Sequence, residues 1–317
     1  MEVAEQDRLI IATVNRDEAE DGAWQRLAEP VDIVRLAGSE DLNDADLERL
    51  GFVPRPCWVN WVARLSATEE EFTARLSQNE RRKIRMGRRF IEGQGLTLSV
   101  KVGLTEELLD EFLILYDAQI SAMPHGKNFA RDRRDRLLAA AAELVSVCIY
   151  AGPRMVTGSL WWIRRAQSTL QLRFSASADD ARSGQSLRAA YMAALDFARD
   201  TGLTFASLGN DPSLFGHVVQ PGLFVFKTRF GFTPIPSQIL DPHLAGEFAD
   251  RVETLRSLAD PSLMTTWGRC RGALSPWSSD APSLDLDLLV LSTAQSPGLV
   301  DSLRTDSFRE TSVLVLP

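Results

Sequence analysis

Three apolar segments in the middle of the chain constrain its fold most: residues 144–150 (LVSVCIY), 155–163 (MVTGSLWWI) and 168–174 (STLQLRF). They are rich in β-branched and aromatic residues and are joined by only AGPR and RRAQ. A parallel crossover needs a dozen or more residues, so joins this short leave only antiparallel neighbours. The spacing predicts a three-stranded meander. A helical pattern precedes it at 130–143, and a loop at 175–185 follows it. A second helical pattern at 186–200 ends at Gly202, and a strand at 205–208 and a Pro- and Gly-bounded loop at 211–221 come next.

Upstream, 8–14 and 31–36 read as strands around a helix at 17–27, and 57–65 reads as a strand. A long helix starts at Ser66 or Thr68, carries three glutamates in its first turn and stops at Gly93 and Gly95. A strand at 96–102 and a helix at 105–123 follow. Beyond residue 240 a helix is expected over 245–259 and strands over 284–292 and 311–316, around a Ser-, Pro- and Gly-rich stretch at 273–283. The expected class is α/β (α+β), a mixed, largely antiparallel sheet flanked by helices.

Other features exclude whole classes of function. No run of about 18 apolar residues is present, so no membrane span is expected. The N-terminus is acidic and lacks an apolar signal core, which points to a cytoplasmic protein. Cys57, Cys148 and Cys270 are odd in number and far apart, so no disulfide frame is expected. His125, His217 and His243 lack metal-ligand spacing. A net charge of −8 argues against duplex DNA as a partner.

Three stretches carry candidate chemistry. The first is GLFVFKTRFGFTP (222–234), four phenylalanines with Lys227 and Arg229 among them. Helical spacing puts Leu223, Phe226 and Phe230 on one face, with the cations projecting off its edge, and Gly231 ends the helix. A cation on so firm a support is suited to hold an anionic group; the competing reading is a lysine that snorkels to water. The second stretch, Arg182-Ser183-Gly184-Gln185-Ser186 with Arg188, enters a helix. Its backbone N–H groups and arginines suit a phosphate or a carboxylate. The third, 79–89, holds Arg81, Arg82, Lys83, Arg85, Arg88 and Arg89. Arg81, Arg85 and Arg88 share one helix face, and Arg82 and Arg89 share another. They suit a phosphorylated acceptor or an RNA backbone, or else form a solvated face. Asp179, Asp180 and Asp211 are candidate proton acceptors. His125 and His217 are weaker candidates, and one of Trp58, Trp61, Trp161 and Trp162 is expected to line an acceptor pocket.

The order of elements over 130–234, the loop RSGQS and the ending PGLFVFKTRFGF together resemble the GNAT acyltransferase superfamily, nearest its FemAB-like branch. The helix with NERRKIRMGRR is similar to that branch's basic helix. The loop lacks the superfamily's second glycine, and Phe226 stands where the superfamily often has tyrosine. The resemblance implies a catalytic lobe over 126–240 and a partial or degenerate GNAT-like lobe over 1–125. An extension over 241–317 would have strands that complete the N-terminal lobe. It also implies N-acyl transfer to a small-molecule or peptide amine, from acyl-CoA or aminoacyl-tRNA as co-substrate, with no permanently bound cofactor. Lys227 and Asp211 would then be catalytic, and Arg182, Ser183, Gly184, Gln185, Ser186, Arg188 and Arg229 would hold the donor. Arg81, Arg82, Arg85 and Arg88 would face the acceptor or tRNA. The alternative is a silent GNAT-like module that only binds a partner.

Overall fold

A computed structural model describes residues 1–123, 126–268, 286–294, 300 and 303–316. The chain divides into two compact units. One comprises Met1–Trp61, Asn210–Thr228 and Thr233–Pro317, the other Val62–Gly209 and Arg229–Phe232. These limits differ from the boundaries expected near 125 and 240.

The first unit opens with β1 (Glu2–Gln6), β2 (Leu9–Val14), α1 (Arg16–Glu20), β3 (Ile33–Leu36), α2 (Asp44–Leu50) and β4 (Val53–Pro56). β5 (Trp58–Arg64) then carries the chain into the second unit. The helix expected at 17–27 is cut short, because Gly22 turns the chain with φ +60° and a 3-10 turn follows over Ala23–Arg26.

The second unit holds α3 (Glu69–Ala74), α4 (Gln78–Gly93), β6 (Thr97–Val102), α5 (Glu106–Ser121) and α6 (Arg134–Ala139). The meander β7 (Leu144–Ala151), β8 (Arg154–Arg164) and β9 (Thr169–Ser177) is present as the spacing predicts, followed by α7 (Asp179–Ser183) and α8 (Ser186–Asp200). β10 (Phe205–Pro212) returns the chain to the first unit. Within a seven-stranded sheet, these strands run in the order β5-β10-β9-β8-β7-β6. β6 to β9 pair antiparallel, and β9 and β10 pair parallel, Phe205 opposite Thr169. Leu109, Phe112, Leu113 and Tyr116 of α5 pack with Leu144, Leu160 and Phe174 of the meander. The single helix expected over 68–92 is two helices. Thr68 caps α3 and Ser77 caps α4, each accepting from the backbone N–H three residues on, while Leu76 between them is buried. The helix expected over 130–143 shrinks to α6 between 3-10 turns.

The first unit resumes with β11 (Leu214–Phe215), α9 (Pro221–Arg229), β12 (Thr233–Pro236), β13 (Glu247–Val252), β14 (Ser262–Trp267), β15 (Leu286–Ser292) and β16 (Thr311–Val315). One sheet has the order β1-β2-β3-β13-β4, another β11-β14-β15-β16. The helix expected over 245–259 is a correction: this segment forms β13, antiparallel to both β3 and β4. Ala249 and Asp250 are fully buried there, so strand pairing and burial override a helix-compatible composition. The whole molecule has the expected mixed, largely antiparallel sheets flanked by helices.

Candidate functional site

α9 forms where the sequence places it, and Gly231 follows with φ +87°. The helix is rolled about its axis relative to expectation. Its buried residues are Phe224, Lys227 and Thr228; of the face expected to turn in, Leu223 is exposed, Phe226 is half-buried and Phe230, just past the helix end, is fully buried. Phe224 anchors it, edge-on to Trp61 and to Phe215 at 5.3 Å and stacked on Phe308 at 5.7 Å. Lys227 lies on the face that Phe224 buries, so it does not project into water and does not snorkel: it is 4% exposed.

Its partner explains how a buried ammonium is tolerated. Lys227 Nζ donates to Asp211 Oδ2 at 2.7 Å, and Trp61 Nε1 donates to the same oxygen at 2.8 Å. The Lys227 nitrogen also stands 5.9 Å from the centroid of the Trp61 ring. Burial pushes the lysine's proton affinity below its ordinary value, and the Asp211 charge and hydrogen bond oppose that. β5 delivers Trp61, the end of β10 delivers Asp211, and α9 delivers Lys227. Asp211 therefore grips the lysine and is not an open proton acceptor. Trp61 was one of four tryptophans expected to line an acceptor pocket. What the sequence hides is that its indole fixes the carboxylate.

A second polar chain uses the preceding residue of each strand. Asn60 Nδ2 donates to Asn210 Oδ1 at 2.6 Å, and Ser237 Oγ donates to the same oxygen at 2.9 Å. Asn210 Nδ2 donates to Asp241 Oδ2 at 2.8 Å. Side chains alternate along strands, so Asn60 and Trp61 leave β5 on opposite faces, as do Asn210 and Asp211 on β10. Sequence reasoning missed this chain; the adjacent pairs Asn60-Trp61 and Asn210-Asp211 are the only trace of it.

The expected donor loop lies in the second unit and is tightly packed. A Cβ on Gly184 would lie 2.4 Å from the Phe90 ring, so the glycine makes room for an aromatic side chain. Gln185 takes φ +64° at the N-cap of α8. Ser186 is fully buried, bonded to Thr157 at 2.7 Å and to the Ala181 carbonyl at 2.8 Å. Ser183 donates to the Asp180 carbonyl at 2.7 Å. Arg182 reaches Asp179 at 3.2 Å and Gln119 at 3.1 Å. Arg188 pairs with the fully buried Glu80 and donates to Gln185 Oε1 at 2.6 Å. Arg229 is half-buried in this unit.

α4 presents its arginines outward. Ile84 and Gly87 are buried on its inner side, whereas Arg82, Arg85 and Arg89 are exposed and Arg81 is half-exposed. Arg88 pairs with Glu69 at 2.6 Å, which together with its hydrogen bond raises its proton affinity further. Arg81, Arg82, Arg85 and Arg89 have no ion-pair partner among the described residues.

His217 is buried, its ring nitrogens facing the carbonyls of Ser257 and Asp7, so it is not an open base. His125 and Cys270 lie outside the described residues. Trp161 is buried with Nε1 on Ser159, and Trp162 donates to Glu143. Among the described residues no three His, Cys, Asp or Glu side chains are grouped to hold a metal, and no helix is long and apolar enough to cross a membrane.

No family model matches this chain, and no curated protein matches it. Solved structures do. FemX is similar over 77% of this chain and 81% of its own, at 14% identity and a TM-score of 0.44. L-PGS from Bacillus licheniformis is similar over 66% and 67%, at 13% identity and a TM-score of 0.38. A tandem GNAT protein from the clavulanic acid biosynthesis pathway is similar over 69% and 62%, at 8% identity and a TM-score of 0.35.

Proposed function

We propose that this protein transfers an acyl or aminoacyl group from an activated ester or thioester to an amine, forming an amide. The observation that carries the reading is the buried Lys227–Asp211 pair, tied to Trp61. A buried ion pair is a poor device for stability, because desolvation offsets much of its attraction, and displaced proton affinities of this kind cluster at functional sites. In the proposed reaction the amine nitrogen attacks the donor carbonyl and an oxyanion develops. The Lys227 ammonium stabilises that charge, and fixed donors of this type are each worth about 3–4 kcal/mol. Asp211 keeps the lysine charged and aimed. The amine's proton leaves through water to the departing alkoxide or thiolate.

Acyl-CoA and aminoacyl-tRNA both carry phosphates, and the unpaired arginines of α4 suit either. The packing of Gly184 under Phe90 and the neutralisation of Arg188 by Glu80 favour a second reading, a module that binds a partner without turnover. The variant Lys227→Met/Asp211→Asn separates the two. It removes both charges together, so it should fold as the parent does and form no amide. Undiminished amide formation would remove Lys227 and Asp211 from the reaction. Thermal stability with CoA and with deacylated tRNA identifies the donor: a ligand at 100 times its dissociation constant adds about 2.7 kcal/mol.

A further inference from the structure

A groove of about 240 Å³ opens in the second unit between α4, β6 and α8. Its floor is apolar: Ile91 of α4, Leu98 of β6, and Ala189 and Ala193 of α8. The two alanines are four residues apart and share one face of the helix, so their small side chains leave the space open. The helices are held close at one end, where a Cβ on Gly87 would lie 2.4 Å from the Gln185 carbonyl oxygen. The volume is below the ~300–1,000 Å³ of drug-sized pockets, so it suits a small fragment.

The rim is charged, with carboxylates in excess. Arg88 lines it and is matched by Glu69 at 2.6 Å. Asp196 lines it and is matched by Arg199. Glu92 also lines it, is exposed, and has no ion-pair partner among the described residues. Burial raises the proton affinity of the Asp196 carboxyl, so a further cation beside it would be welcome.

We infer that this groove binds a primary alkylammonium group, with the alkyl chain on the alanine floor and the ammonium at Glu92 and Asp196. The site stands on the second unit's own residues and does not depend on the role of Lys227. An ammonium offers three donors to the two carboxylates, while its chain covers Ile91 and Leu98. An anion of the same length would meet the same floor but an unpaired carboxylate at the rim.

The test is a methyl NMR titration of the full chain, labelled at Ala and Leu, with n-pentylamine and, as the charge control, pentanoate. Pentylamine should move the Leu98, Ala189 and Ala193 signals saturably, and pentanoate should not. Ala193→Leu fills the groove and should abolish the shifts while the remaining methyl spectrum stays that of the folded chain. Glu92→Gln, an exposed change, should weaken binding several-fold. Equal shifts with pentanoate, no saturable shift with pentylamine, or unchanged binding by Ala193→Leu would each overturn the assignment.

Discussion

At the scale of single residues, the chemistry rests on one carboxylate oxygen. Asp211 Oδ2 accepts from both Lys227 and Trp61. Removing only the lysine strands a buried charge, which typically costs about 3–5 kcal/mol. Lys227→Ala should therefore lower the denaturation midpoint strongly, and Lys227→Met/Asp211→Asn much less, as chemical denaturation would show. Equal stability of the two variants would mean that Asp211 finds other support. Helical spacing in the sequence showed that α9 exists but not which side is inward. Phenylalanines stand on more than one side, so only the packing of Phe224 against Trp61 decides that Lys227 turns in. Gly184 is ambiguous for a related reason. A glycine at a helix entrance reads as a phosphate cradle, and only the Phe90 ring beside it shows that a side chain there would also clash.

At the scale of elements, α4 and β13 show where sequence reading succeeds and fails. The basic face of α4 was legible because charge periodicity is local, and its buried side is set by Ile84 and Gly87. β13 was not legible. Its composition tolerates a helix, and its strand state is imposed by β3 and β4, which lie far away in sequence. The break between α3 and α4 was hidden for a subtler reason, since Ser77 and Glu80 also fit a continuous helix until Ser77 is seen in an extended conformation, with ψ 154°, as the N-cap of α4. A test of α4 follows from its unpaired cations. With a deacylated tRNA pool as ligand, replacing Arg82, Arg85 and Arg89 by alanine should reduce the slope of log affinity against log salt by roughly 2–3. An unchanged slope would place the RNA elsewhere.

At the scale of the whole molecule, charge is divided between the units. The first unit has 13 basic and 26 acidic residues, a net −13; the second has 22 and 17, a net +5. The overall −8 thus conceals a basic unit that carries α4. The acidic unit is stitched by Asp250, which bridges Arg35 at 2.8 Å and Arg55 at 2.6 Å. Burial alone would raise the Asp250 carboxyl's proton affinity, but Arg55 and Arg35 outweigh it and hold the group below the ordinary carboxylate value. With a lowered folded-state value, its contribution is complete above the unfolded carboxylate range and is lost as pH falls through the folded value. Unfolding free energy should therefore fall in acid below about pH 4, and Asp250→Asn should flatten that limb while costing about 3–5 kcal/mol at neutral pH. An acid limb of the same steepness in the variant would assign it to other carboxylates. The most direct measurement is mass-spectrometric detection of amide products. The protein is incubated with a panel of primary amines, once with acyl-CoA and once with aminoacyl-tRNA. A new amide formed with one donor by the parent chain, and absent with a folded Lys227→Met/Asp211→Asn variant, is the predicted result. An amide formed equally by both proteins, or by neither with either donor, would contradict acyl transfer at the Lys227–Asp211 pair.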